Sequence, residues 1–289
     1  MTDRSTATTN PNNAQGANDG SAALTRGRRE LKYLIPAPRL AMLSTEVARR
    51  VPPHVLGNEH DSSPPLNDQA VTTVYFDTPE LDLFHAANGS DRNTKLRVRE
   101  YDAVHPEMRA LAEREGRTFD SLVWLELKVR NGDHTAKRRA AMPKADLEAF
   151  LTRGVRSASM EAIARGVPGT AEALRELHAF AHDFGKPLRP TCVVNYVRCA
   201  WQAVDGSLRV TVDRDVAFFP ASDDQWRPQD LTERRSLGPP AAIEPSCVIE
   251  VKTHGELPQW LDEVLTRCDA KRVDYSKFVA AMLTLFGAR

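Results

Sequence analysis

Long apolar runs are missing from this chain of 289 residues. No segment approaches the ~20 apolar residues that cross a bilayer as a helix, and no secretory leader core follows the first Met. Direct membrane insertion is therefore not expected, and a cytoplasmic location is. Cysteine is scarce. Cys192, Cys199, Cys247 and Cys268 show no paired metal-ligand spacing and sit in apolar surroundings, which predicts buried, reduced thiols. Net charge is absent as well, with 39 Lys and Arg against 39 Asp and Glu, so composition names no polyanionic partner. Any basic patch has to come from sorting charges within the fold. A Gly-rich phosphate loop, a nucleophile elbow and a solenoid repeat are also lacking. What remains, 41% hydrophobic and 27% charged, is an ordinary globular composition, long enough to bury a substantial core.

What is present is alternation. Lys95-Leu96-Arg97-Val98-Arg99-Glu100-Tyr101 keeps a period of two, which is that of a strand. Leu96 and Val98 take one face; Lys95, Arg97, Arg99 and Tyr101 take the other. Alone, such a segment fits an antiparallel sheet with one side in water. Several other segments repeat it. Residues 1–24 are Thr, Asn, Ala, Gly and Ser with almost no large apolar side chain, predicting a disordered tail ahead of one domain over 25–289. Arg28 to Ile35 then alternates, with Arg28, Glu30 and Lys32 on one face and Leu31, Tyr33 and Ile35 on the other. Pro36 ends that strand, and Leu40, Leu43 and Val47 mark an amphipathic helix. Residues 52–65 read as a Pro-rich loop, and 102–119 as a charged, partly helical excursion. Val71 to Asp77 is a strand whose Asp77 or Thr78 caps a short helix.

Two hairpins set register. Asn131-Gly132 predicts a two-residue turn pairing Lys128 with Thr135, Glu126 with Lys137 and Trp124 with Arg139. Asp205-Gly206 predicts a second, pairing Gln202 with Arg209, Ala200 with Thr211 and Arg198 with Asp213. Residues 144–150 and 171–184 have helical periodicity. Ser246 to Lys252 is a further strand with Glu250 and Lys252 on one face, and helices follow over 259–268 and from the opening segment Tyr275-Ser276-Lys277-Phe278 to Leu285.

The charged faces collect Arg28, Lys32, Arg97, Arg99, Lys128, Lys137, Arg139, Arg198, Arg209 and Lys252, against Glu30, Glu126, Asp213 and Glu250. The apolar faces need cover, which the amphipathic helices can supply. The charged side then looks either at water, as in an open sheet, or inward, as in a barrel with a hydrophilic lumen. A lumen is costly when empty. Two cations ~7 Å apart at an effective dielectric near 20 repel by roughly 2 kcal/mol, and crowding multiplies the cost. Such a lumen makes sense as a polyanion site with a metal at its carboxylates.

The ordered set of motifs resembles the triphosphate tunnel metalloenzyme superfamily (CYTH-like), and within it the polyphosphate polymerase domain of the vacuolar transporter chaperone. Glu30-Leu31-Lys32-Tyr33, Leu96-Arg97-Val98-Arg99, Leu125-Glu126-Leu127-Lys128, Tyr196-Val197-Arg198, Arg209 to Asp213, Ile249 to Lys252 and Ser276-Lys277-Phe278 carry it, spanning about 28–280. The resemblance implies an α+β fold, an antiparallel β-barrel forming a triphosphate tunnel with flanking helices. It implies phosphoryl transfer from ATP or another nucleoside triphosphate to a growing inorganic polyphosphate chain. Lys32, Arg97, Arg99, Arg198 and Lys277 would form the catalytic set; Arg28, Lys128, Lys137, Arg139, Arg209 and Lys252 would bind further phosphates. Glu250, Glu126, Glu30 and Asp213 would supply ligands for Mn²⁺ or Mg²⁺. One departure is informative. Many hydrolytic members begin Glu-x-Glu-x-Lys, whereas Arg28 stands at the first of those positions here, which favours a longer phosphate chain over a second metal.

Other readings compete. The same tunnel could hydrolyse triphosphate, or could bind a polyanion without turnover. Nucleic-acid binding leaves Glu126 and Glu250 unexplained and wants aromatics among the cations, which are sparse. Trp124 on the charged face could stack on a base or line a barrel end. His178 and His182, four apart near Glu172 and Glu176, match half a zinc site, but polar helix surface explains them since no third ligand is evident. Asp77 with Asp82 is explained by capping.

Overall fold

A computed structural model of the chain describes residues 28–54, 68–89, 92–101, 122–131, 134–222 and 237–287. The N-terminal tail, most of the Pro-rich loop and the 102–119 excursion lie outside these residues. The strands are β1 (Arg28–Pro36), β2 (Asp68–Asp77), β3 (Arg92–Tyr101), β4 (Leu122–Asn131), β5 (His134–Pro143), β6 (Arg189–Gln202), β7 (Leu208–Pro220), β8 (Ala242–Ile243), β9 (Ser246–His254) and β10 (Lys271–Arg272). The helices are α1 (Leu40–Ala48), α2 (Asp82–Gly89), α3 (Leu147–Arg153), α4 (Ala158–Gly166), α5 (Thr170–Asp183), α6 (Gln259–Arg267) and α7 (Lys277–Phe286). All strand pairs are antiparallel, in the order β10-β1-β9-β7-β6-β2-β3-β4-β5, with β8 added to β7.

Alternation sorts the sheet as expected. Leu31, Tyr33, Ile35, Val210, Val212, Ile249 and Val251 point to one side, where Leu43 and Val47 of α1 and Leu261, Val264 and Leu265 of α6 cover them. Leu96, Val98, Leu125, Leu127 and Met142 point the same way and are covered by Phe150 of α3, Met160 of α4 and Leu174 and Leu177 of α5. Arg138 shares this outer side and meets Glu176 of α5. The short α2 is fixed by Asp77, whose buried carboxylate accepts from the backbone N–H of Thr78, Leu83 and Phe84. That is the cap read from the sequence.

The barrel expected from the sequence is a curled sheet whose ladder is open: among the described residues, β10 and β5 are its two ends and do not pair. The curl is pronounced all the same. β1 and β3 are five steps apart in the order, about 24 Å on a flat sheet. Yet Lys32 Nζ of β1 donates to Tyr275 O (2.8 Å) and Lys95 Nζ of β3 donates to Ser276 Oγ (2.9 Å), two consecutive residues. The charged faces therefore look at each other across a cleft.

One end of that concave side is apolar. A bulge in β7, where Asp215 has φ 55° and the pairing with β6 shifts between Asn195 and Val197, reverses which residues face inward. Arg209, Thr211 and Asp213 face the cleft before it; Val216 and Phe218 do so after it. There they pack with Val71, Tyr75, Val194, Tyr196 and Val248 around Phe278, Ala281 and Met282 of α7. The helix plugs that end and presents its first turn to the polar part of the cleft.

Registers were half right. The β6–β7 pairs are those predicted: Gln202 with Arg209, Ala200 with Thr211, Arg198 with Asp213. The β4–β5 ladder is displaced by two residues from the expectation, with Lys128 opposite Lys137, Glu126 opposite Arg139 and Trp124 opposite Ala141. Asn131 pairs with His134, so the two-residue connection begins one residue later than the Asn-Gly signal implied. A shift of two preserves every face.

Candidate functional site

Three groups of charges meet in the cleft. Across β3, β4 and β5, Glu126 lies between Arg97 and Arg139 and is fully buried. Its carboxylate is 2.8 Å from Arg97 Nη2, 3.6 Å from Arg99 Nη1, 2.8 Å from Lys137 Nζ and 3.2 Å from Arg139 Nε. Burial opposes its ionisation, but Arg99, Arg97, Lys137 and Arg139 together hold it well below the usual carboxylate range. At the mouth of α7, Asp213 accepts a two-pronged contact from Arg198 (2.6 and 2.8 Å) and a third from Lys277 (2.6 Å). Its side chain is 2% exposed.

The third group is more open. On β1 and β9, Lys32 is opposite Glu250 and Glu30 is opposite Lys252. Glu250 contacts Lys252 Nζ at 2.5 Å, while Glu30 is 3.7 Å from Lys32 and 3.8 Å from Lys252. The side chains of Glu30 and Glu250 keep 33% and 23% of their surface exposed. Burial works against the charge of Glu250, yet Lys252, Arg198 and Lys277 hold its carboxyl far below the ordinary value. Arg209 neighbours Lys252 on β7 and reaches Gln202. Lys128 is pushed down by burial, opposed by Glu30 and Glu250 and helped by Lys32 and Arg97. Strands β1 and β9 thus act on β4 directly across the cleft.

The structure gathers Lys32, Arg97, Arg99, Lys128, Lys137, Arg139, Arg198, Arg209, Lys252 and Lys277 with all four carboxylates named from the sequence. Arg28 is opposite His254 at the end of the β1–β9 ladder, and its side chain lies outside the described residues. Among the described residues, no group of three or more His, Cys, Asp or Glu is assembled for a metal. His178 and His182 stack 4.5 Å apart on the outer side, where His182 meets the carbonyl of Phe150 at the end of α3, which accounts for them structurally. Trp124 is buried, with the Arg139 guanidinium 3.6 Å above its ring, so it is not open to a base.

Three participants were given no role from the sequence. Alternation puts Lys95 on the face of Arg97 and Arg99, but it falls just outside the Leu-Arg-Val-Arg motif and outside the predicted site. Burial, with Lys128, Lys32 and Arg97 and against Asp274, pushes its ammonium down to about 7. Tyr196, beneath the Lys277 ammonium (4.9 Å to the ring centroid), has a buried hydroxyl with no hydrogen-bond partner among the described residues. Thr73 is opposite Arg99, and Thr73 Oγ1 and Arg99 Nε are likewise buried without partners. Nothing in sequence spacing announces that these three donors go unsatisfied.

Fold and face together define an α+β protein with a cation-lined cleft on the concave side of a curled antiparallel sheet. The VTC domain model matches residues 27–286, and the chain belongs to that family. Among solved structures, a "putative adenylate cyclase" from Bacillus halodurans is 12% identical, with 90% of this chain and 99% of that one covered at a TM-score of 0.46. The Schizosaccharomyces pombe Mediator head module is also 12% identical, with 90% and 95% covered at a TM-score of 0.34. At these values neither likeness bears on function. No helix among the described residues is long and apolar enough to cross a membrane.

Proposed function

We propose that this chain transfers phosphoryl groups from a nucleoside triphosphate, ATP being the first candidate, to an inorganic polyphosphate chain enclosed by the curled sheet as in a tunnel. The observation that carries the reading is the group of buried donors without partners among the described residues, Arg99 Nε, Thr73 Oγ1 and Tyr196 Oη, set among cations from seven strands and α7. Buried donors are almost always satisfied, and oxygens of an extended anion would satisfy several at once. Membership of the VTC domain family supports the same conclusion. Nucleic acid fits less well, since the Trp124 indole is already covered by Arg139.

The roles follow from chemistry. Arg97, Arg99 and Arg198 present planar forks that match phosphate oxygens in pairs, while Lys32 and Lys277 act as point charges. Lys128, Lys137, Arg139, Arg209 and Lys252 extend the track, with Arg28 beyond. Glu30 and Glu250 are the fitting metal ligands. Both are partly open and are diagonal neighbours on the β1–β9 ladder, and Mg²⁺ or Mn²⁺ commonly takes one or two carboxylates together with phosphate oxygens and water. Bound there, the metal would neutralise charge on the leaving phosphate. Glu126 and Asp213, saturated by arginine and lysine, instead hold those cations in place. A phosphate nucleophile already carries negative charge and needs no general base.

Incubation with ATP and Mn²⁺ tests this directly. Chains longer than triphosphate are the expected product. Free phosphate alone would make the protein a hydrolase, and binding without turnover would leave a polyanion-binding module.

A further inference from the structure

Three lysines on neighbouring strands stand directly opposite one another: Lys95 of β3 faces Lys128 of β4, which faces Lys137 of β5. Like charges directly opposed on one sheet face repel. The adjacent row is built the other way, with Glu126 between two arginines. Lys137 leans toward Glu126 at 2.8 Å. Lys95 and Lys128 make no ion pair among the described residues, and Lys95 Nζ reaches across the cleft to Ser276 Oγ instead (2.9 Å). The charges facing Lys95 are Lys128 from β4, Lys32 from β1, Arg97 on its own strand, and Asp274 just before α7. Cations dominate.

We propose that Lys95 and Lys128 form a phosphate subsite whose occupation is coupled to proton uptake by Lys95 Nζ. The inference rests on the reading of the cleft as a phosphate-chain site. Burial among cations leaves Lys95, at about 7, largely neutral in mildly alkaline solution. A phosphate group over the pair brings the negative charge that the row lacks. One proton then moves from a buffer acid to the nitrogen lone pair, forming an N–H bond and leaving the buffer's conjugate base. The resulting ammonium donates to phosphate oxygen with charge assistance. Lys95 is in this sense a positioning lysine with a pH-dependent grip.

The test is calorimetry of tripolyphosphate binding to the full chain, in two buffers of different ionisation enthalpy, so that the proton count is read separately from affinity. Wild type should take up about 0.9 proton more than Lys95→Arg at pH 8, where a group titrating near 7 is mostly neutral, and only about 0.1 more at pH 6. Protonation of tripolyphosphate itself is common to both proteins and cancels. Lys95→Met should bind at least tenfold more weakly than wild type at pH 6, with the gap narrowing by pH 9. Equal proton counts for wild type and Lys95→Arg at both pH values would overturn the proposal, as would full affinity in Lys95→Met at pH 6. If Lys95→Met does not fold, the Lys95→Arg comparison decides alone. Failure of wild type to bind tripolyphosphate at all would instead remove the reading of the cleft.

Discussion

Replacing Glu126 by Gln separates a structural counterion from a metal ligand. The carboxylate is fully buried beneath Arg97, Arg99, Lys137 and Arg139, with its shortest contacts at 2.8 Å. At an effective dielectric near 20, one 2.8 Å contact is worth roughly 6 kcal/mol before the cost of desolvating the ions is set against it. Measured losses on breaking buried pairs are about 3–5 kcal/mol, because the surviving charges are left uncompensated. For a domain of this size that corresponds to a fall in Tm of about 6 to 20 °C. The sign with pH follows from a depressed carboxyl. Its stabilisation is fully present above the unfolded value near 4.3 and disappears as pH falls through the lower folded value, so wild type and Glu126→Gln should converge in acid. The assay is thermal and urea denaturation in metal-free buffer and again with Mn²⁺, each with and without tripolyphosphate. The anion should stabilise the variant more than wild type, since it replaces the missing charge. Glu256→Gln, which removes an exposed partner of Arg29, is the control and should change nothing measurable. A loss under about 1 kcal/mol in Glu126→Gln, or one seen only when Mn²⁺ is present, would refute the counterion argument and return Glu126 to the metal.

Further outcomes are expected. Glu250→Gln should abolish Mn²⁺-dependent turnover while keeping tripolyphosphate affinity within a few fold, as measured by product formation and calorimetry. Arg139→Gln should weaken tripolyphosphate binding by about 1–3 kcal/mol, whereas Arg138→Gln, whose guanidinium pairs with Glu176 on the outer side, should leave it unchanged. Tripolyphosphate should raise Tm well above the effect of sulfate at matched charge, and keep most of that advantage in moderate salt; equal effects would mean an open basic surface.

Period two was legible wherever only one face of a strand is apolar. Lys95 to Tyr101 and Arg28 to Ile35 could be sorted residue by residue, and the Asp205-Gly206 hairpin placed Arg198 opposite Asp213. It failed where both faces are covered. Val216-Ala217-Phe218-Phe219 carries no alternation, because α7 packs on its inner side and other residues on its outer side, so the bulge at Asp215 left no readable trace. The Asn131-Gly132 signal misplaced the turn by one residue at each strand end, yet the charged faces survived because the ladder slipped by an even number. Closure was beyond reach. Hydrogen bonding between the ends of the sheet depends on curvature summed over all strands, and no local motif encodes it.

Burial, more than residue type, divides the four carboxylates. A metal at Glu126 or Asp213 would have to displace the guanidinium and ammonium groups that contact them, from carboxylates that are almost fully buried. That exchange leaves buried cations unpaired, which costs several kcal/mol per ion. Glu30 and Glu250 face no such obstacle: lysine is their partner, it swings on a flexible stem, and solvent already reaches both side chains. A metal there would free Lys32 and Lys252 to turn to phosphate, so on the proposed reading loading the metal and tightening the grip on a phosphate chain would favour each other. The two kinds of carboxylate would then do different work in one cleft, the buried pair setting the shape of the cation array and the open pair switching it between its own ion pairs and the bound anion.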